Sequence, residues 1–129
     1  MGRINCFEEL TIWKEAVDLV NRIYEITKEK PFCTDYQLVD QIRRSVVSIP
    51  SNISEGFERD GKKEFIIFLS IAKGSCGELR TQLYIAFHQK YIDEHTFNVL
   101  YDRAKDLSRS ISALIKYLLD IDYKGHKFK

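Results

Sequence analysis

Apolar residues along this chain recur in steps of three and four rather than two, and they do so in four separate stretches. From Glu8 to about Lys30, the series Leu10, Trp13, Val17, Val20, Tyr24, Thr27 runs beside a second one, Ile12, Ala16, Leu19, Ile23, Ile26. Each predicts one face of an α-helix, and two adjacent series make a face wider than one neighbour covers. Pro31 closes this helix, because proline disfavours helical backbone in the residue before it. Thr34 with Gln37 three residues on reads as the next capping box, with Cys33 set to staple against Leu38. The second helix then runs from about Asp35 to Glu58 on Val39, Ile42, Val46, Ile49 and Ile53. Pro50 lies inside it, lacking an amide donor and pressing on the carbonyl four residues back. Either the helix kinks between Val46 and Pro50, or it stops and restarts with Asn52 and Glu55 as a capping pair. The stripe crosses Pro50 without losing phase, which favours the kink.

Arg59-Asp60-Gly61 reads as a turn, with Gly61 supplying backbone freedom. A third helix, about Lys62 to Lys90, carries Phe65, Leu69, Ala72, Cys76, Leu79, Leu83 and Ala86. Its first turns, Phe65-Ile66-Ile67-Phe68-Leu69, are apolar on every side and call for cover by the fold or by another subunit. Gly74 and Gly77 each cost about 1 kcal/mol of helix propensity relative to alanine. That cost predicts close backbone approach to a neighbouring helix, with the Ser45, Ser48, Ser51 run of helix two as the candidate. Asp93 caps a fourth helix, with Ile92 and Phe97 as its staple. Its stripe is Phe97, Leu100, Ala104, Leu107, Ile111, Leu114, Leu118, Ile121. Residues 1–7 form a lead-in with Asn5 and Glu8 spaced as a capping pair, and the glycine-broken, basic tail 123–129 is expected to fray. The fold class is therefore all-α: one domain over 1–129, an antiparallel up-down-up-down four-helix bundle with helix two kinked at Pro50. One such core hides one stripe per helix, so the surplus on helices one and three predicts an oligomer.

Composition narrows function mostly by exclusion. Lys plus Arg is 20 against 19 for Asp plus Glu, so the chain has no overall field that would commit it to nucleic acid or an anionic membrane. Residues 61–90 are locally basic, with Lys62, Lys63, Lys73, Arg80 and Lys90 against Glu64 and Glu78, five cations to two carboxylates. Cys6, Cys33 and Cys76 are odd in number and far apart, unlike a zinc knuckle or a redox pair, and read as small reduced hydrophobes. No apolar run is long enough to span a bilayer, and no signal segment opens the chain, so the expected location is the cytoplasm, without membrane contact. Asn52-Ile53-Ser54 matches a glycosylation acceptor, which has no meaning in that setting.

No machinery for catalysis is legible. Inward Glu-x-x-His pairs, a phosphate-cradling glycine loop, HExxH and a nucleophile elbow are all missing from the sequence. His88, His95 and His126 are scattered and read as surface or structural residues. No catalytic residue, metal ligand or cofactor is therefore expected, and the chain reads as a non-enzyme. Glu55 and Glu78 interrupt small or apolar surroundings, where an unpartnered carboxylate costs stability. Three readings stand: an interhelical polar lock with Asn52, paired to Arg43 or Arg44; a ligand or catalytic carboxylate; and simple solvent exposure. For RNA or DNA the candidate residues are Arg43, Arg44, Lys62, Lys63, Lys73 and Arg80, which would meet phosphates without reading bases. A protein-interaction scaffold is the rival reading.

Two segments, Gln41-Ile42-Arg43-Arg44-Ser45-Val46-Val47-Ser48-Ile49-Pro50-Ser51-Asn52-Ile53-Ser54-Glu55-Gly56-Phe57 and Phe68-Leu69-Ser70-Ile71-Ala72-Lys73-Gly74-Ser75-Cys76-Gly77-Glu78-Leu79, resemble the bacterial four-helix-bundle proteins encoded by intervening sequences in 23S ribosomal RNA genes. That family is related to the accessory protein of diversity-generating retroelements, a basic pentameric barrel that binds nucleic acid and a reverse transcriptase. The resemblance implies an antiparallel bundle assembling as a homopentamer, with Arg43, Arg44, Pro50, Asn52, Glu55, Gly56, Gly74 and Glu78 at family motif positions and no catalytic residue among them. Cys76 stands where leucine is commoner in that family, and Phe32 follows Pro31 where a phenylalanine often precedes the proline.

Overall fold

A computed structural model describes residues 4–123 and contains four α-helices in sequence. They are α1 (Thr11–Thr27), α2 (Tyr36–Glu58), α3 (Lys62–His88) and α4 (Glu94–Tyr123), with short 3-10 turns at Phe7–Glu9 and Phe32–Thr34. No strand occurs among the described residues. The expected tail lies almost wholly outside them.

Antiparallel packing follows from which residues meet. Between α2 and α3, Ser48 meets Ser75 while Gly56 meets Phe65 and Phe68, so one helix is read backwards against the other. Arg80 over Tyr101 and Phe87 on Phe97 give the same order for α3 and α4. The core takes the second of the two α1 series, with Ile12, Ala16, Leu19, Ile23 and Ile26 buried; the first series is half-covered, apart from buried Thr27. The expected stripes of α2, α3 and α4 fill the rest, from Ile42 and Ile49 through Leu69 and Leu83 to Leu100 and Ile111.

Several local expectations are corrected. Helix one is shorter than Glu8 to Lys30. Phe7–Glu9 turns separately, Leu10 is extended, and Glu9 rather than Glu8 accepts the Asn5 amide at 3.1 Å. At its other end the Thr27 hydroxyl donates to the Ile23 carbonyl at 2.8 Å, and helical structure stops there. Asp35, not Thr34, caps α2, its Oδ1 accepting from the Leu38 amide at 3.1 Å. Thr34 is already used in the 3-10 turn, donating to the Pro31 carbonyl at 2.7 Å. Helix two, by contrast, is continuous as its stripe favoured, running through buried Pro50 without a restart at Asn52.

The glycines also differ from expectation. A Cβ on Gly74 or Gly77 would meet nothing within 4 Å, whereas one on buried Gly56 would lie 2.7 Å from the Phe68 Cβ. The close approach of α2 and α3 is therefore at Gly56, where the two helices converge toward their turn. Gly61 in that turn has φ of +106°, as the turn reading requires.

Candidate nucleic-acid interface

Of the six cations singled out in the sequence, two lie on α2, and Arg43 alone of these is tied into the packing. Arg43, on the α2 side facing α1, donates through Nε to the Thr27 hydroxyl at 2.9 Å, and its guanidinium lies 4.3 Å from the centre of the Tyr24 ring. A guanidinium suits this double use, offering a flat face to an aromatic ring and N–H donors in its plane. Arg44 points outward and pairs with Asp40 one turn back at 2.9 Å. An exposed pair of this kind contributes little to stability.

The other four lie on α3. Lys62 is half-buried and engaged at the α2–α3 end. Lys63 and Lys73 are exposed, and neither makes an ion pair or hydrogen bond among the described residues. Arg80 is half-buried, its guanidinium 5.9 Å from the centre of the Tyr101 ring on α4. Residues seven apart share a side of a helix, so Lys73 and Arg80 both border the α3–α4 groove. Lys105, one turn beyond Tyr101, adds a third cation on the α4 side, exposed and without a partner among the described residues. Sequence reasoning missed Lys105, although its i+4 spacing from an aromatic residue was available as a signal.

The groove between these cations is lined by Gly77, Arg80, Thr81, Tyr84, Ile85 and Tyr101 and holds about 280 Å³. Gly77 has no side chain to fill it. Tyr84 is 53% exposed and stacks on His88 with ring centres 4.3 Å apart. Cations beside exposed aromatic faces are the two elements that unpaired nucleic acid engages, charge for the backbone and rings for bases. Beneath the groove, burial pushes the Cys76 thiol up to about 11, only partly opposed by the Arg80 and Lys73 charges. That thiol stays protonated and packs as a core residue.

The polar lock expected of Asn52, Glu55 and Glu78 is built differently. Asn52 Nδ2 donates within its own helix to the Ser48 carbonyl at 2.8 Å and to the Ser48 hydroxyl at 2.9 Å. The bond that crosses between helices is Ser75 Oγ to Ser48 Oγ at 2.9 Å. Glu55 is exposed and pairs with Arg59 at 2.9 Å, because that arginine sits one turn along on the same face. Glu78 is exposed, with no hydrogen bond or ion pair among the described residues. The crossing contact thus uses two small hydroxyls where the helices are close, while the carboxylates face out.

A further polar contact, unforeseen from sequence, joins the two ends of the chain's corners. The Tyr91 hydroxyl donates to Asp35 Oδ2 at 2.9 Å, and the Tyr91 ring stacks on buried Phe32 at 5.1 Å. The hydrogen bond to Asp35 pushes the Tyr91 phenol up from its ordinary range. Among the described residues no cluster of three or more His, Cys, Asp or Glu side chains is placed to hold a metal ion, and no helix is long and apolar enough to cross a membrane.

Comparison with known proteins gives the following. The model of a family described as 23S rRNA-intervening sequence protein matches residues 8–113. A crystal structure of a protein of unknown function, from the S23 ribosomal protein family of Bacteroides thetaiotaomicron, is similar in fold. The TM-score is 0.76 at 21% sequence identity, over 82% of this chain and 99% of that one. No curated protein matches the chain in sequence.

Proposed function

Because the chain belongs to the 23S rRNA-intervening sequence protein family, we propose that it is a non-enzymatic, self-associating cytoplasmic bundle that holds RNA or DNA by phosphate contact. The observation that carries this reading is the α3–α4 face. There Lys73 on α3 and Lys105 on α4 stand exposed, unpaired among the described residues, beside Arg80, Tyr84 and Tyr101. Such contact is independent of base sequence and falls with salt. A single chain of net charge +1 attracts a polyanion weakly. Several copies presenting the same face raise the local charge and the avidity together. A ring of five, which the family resemblance implies, would do this.

The test is binding to a labelled 23S ribosomal RNA fragment at about 50 and about 200 mM salt. With roughly three phosphates neutralised per copy, affinity should fall by tenfold or more across that range. The Lys73→Ala, Lys105→Ala double variant should flatten that salt dependence. Absence of binding at the lower salt would remove the nucleic-acid reading in favour of a protein-interaction scaffold, and affinity indifferent to salt would contradict the phosphate mechanism.

A further inference from the structure

We propose that copies of this chain meet through the outward ridge of α3, which seats in the groove between α2 and α3 of the next copy. The inference rests on the self-association reading above and names the surface it uses. The ridge is a single line of residues spaced by three and four along α3: Ile67, Ile71, Gly74, Glu78, with Ile85 at its far end. It lies opposite the core residues Leu69, Cys76 and Leu83. Ile67, Ile71 and Ile85 are 53%, 46% and 42% exposed, over a length of about 27 Å. The apolar residues of α1, α2 and α4 are gathered on one side, but those of α3 are not. The excess apolar surface is thus concentrated on this helix.

Gly74 marks where the contact is closest. A glycine inside a helix weakens it, and here no packing among the described residues requires one, since a Cβ would meet no atom of theirs within 4 Å. A bare backbone on a line of exposed isoleucines allows a second helix to come near.

The groove beside the ridge is built to receive it. Ser45 and Ser48 form a small-residue floor in a groove of about 520 Å³, with Arg44 at one edge and Glu78 and Gln82 at the other. Gln82 Oε1 is buried yet accepts no hydrogen bond, and Glu78 makes no ion pair among the described residues. Arg44 is mostly exposed, with its side chain 78% accessible. A second copy supplies what Glu78 and Gln82 lack: Arg44 of one copy, which holds Asp40 through Nε alone, turns its outer N–H groups to Glu78 of the other, and the isoleucines find small residues. That charge complementarity within one surface points to self-association rather than to a different partner. Ridge and groove share only Glu78 and are otherwise different patches, so the contact is heterologous, the kind that closes rings. Lys73 and Arg80 lie on the α4 side of α3, where Ile85 is the one ridge residue that also lines the α3–α4 groove.

Sedimentation velocity of the full chain tests this, with circular dichroism reporting helix content. Wild type should sediment as several copies. Gly74→Leu and Ile71→Glu should each raise the concentration for half-assembly at least tenfold with helix content kept. Tyr117→Glu, on exposed α4 surface, should not. Glu78→Arg should weaken assembly, and Glu78→Arg combined with Arg44→Glu should restore it. A multi-copy wild type with unaltered ridge variants would overturn the ridge while leaving self-association intact. A wild type that is single-copy at every concentration would overturn both.

Discussion

Gly56 and Gly77 are both helical glycines with ordinary backbone angles, and only their surroundings set them apart. At Gly56 an added Cβ would press on the Phe68 Cβ at 2.7 Å, the Phe65 Cδ1 at 3.1 Å and the Phe65 carbonyl oxygen at 3.3 Å. The last of these is backbone, so α2 and α3 would have to part. Gly56→Ala should therefore cost about 1–3 kcal/mol despite the gain in helix propensity. Gly77→Ala meets no atom within 4 Å, leaving only the propensity gain, and should stabilise by roughly 0.5–1 kcal/mol. Urea unfolding midpoints at unchanged m-value would check the pair, and shifts of the same sign would defeat the packing argument. This scale was the least legible in sequence. Gly74 and Gly77 stood out because they interrupt a regular stripe, yet the glycine that admits a neighbour is the one whose partners, Phe65 and Phe68, arrive only after the chain has turned back. Arg43 is a similar case. Its charge was visible, whereas its use on Thr27 and Tyr24 depends on how α1 lies against α2.

Among the elements, helix starts show what local spacing can and cannot decide. At α4 one residue meets every requirement, and Asp93 Oδ1 accepts the Thr96 amide at 2.8 Å with Ile92 buried behind it, as its spacing predicts. At α2 two capping residues stand side by side. The 3-10 turn that consumes Thr34 is set by the Pro31 corner, so the cap moves to Asp35. The longer helices, by contrast, were legible almost to the residue because their apolar stripes persist for many turns. The Asp93 cap has a pH consequence. The Thr96 backbone amide holds its carboxyl below the ordinary 3.8, so the ionised form is the one favoured by folding. Its stabilising effect is complete above about pH 4, the unfolded carboxyl's range, and is lost as pH falls through the lowered folded value. The first turn of α4 should accordingly fray in acid ahead of its middle. The Thr96 amide resonance followed from pH 6 downward would show this, and Asp93→Asn, which caps without titrating, should flatten the response. A Thr96 shift that persists in the Asn variant would assign the acid effect elsewhere.

At the level of the whole molecule the four helices are unequally bound together. Helix α2 packs along α3 and α3 along α4, whereas α1 leans chiefly on α2 and touches α4 only lightly. Its side-chain ties are few: Arg43 to Thr27 and Tyr24 on one flank, and the Asp18–Arg103 ion pair on the other. It is also the shortest of the four, at 17 residues. This inequality was hidden in the sequence, because the α1 stripes are as apolar as any and periodicity says nothing about how much of a face its neighbours reach. A helix held mainly along one side opens more easily than those held on two, and such openings appear as separate steps in native amide exchange. The buried amides of α1, around Leu19 to Ile26, should exchange faster than those of α2 and α3, which should share the slowest rates. Arg43→Lys sharpens the test, since an ammonium cannot lie flat on Tyr24 while donating in plane to Thr27. That substitution should lower protection in α1 by roughly 1 kcal/mol, the usual size of one lost hydrogen bond with its contact, while α3 keeps its rates. An equal loss in all four helices would mean instead that α1 leaves only when the entire bundle unfolds.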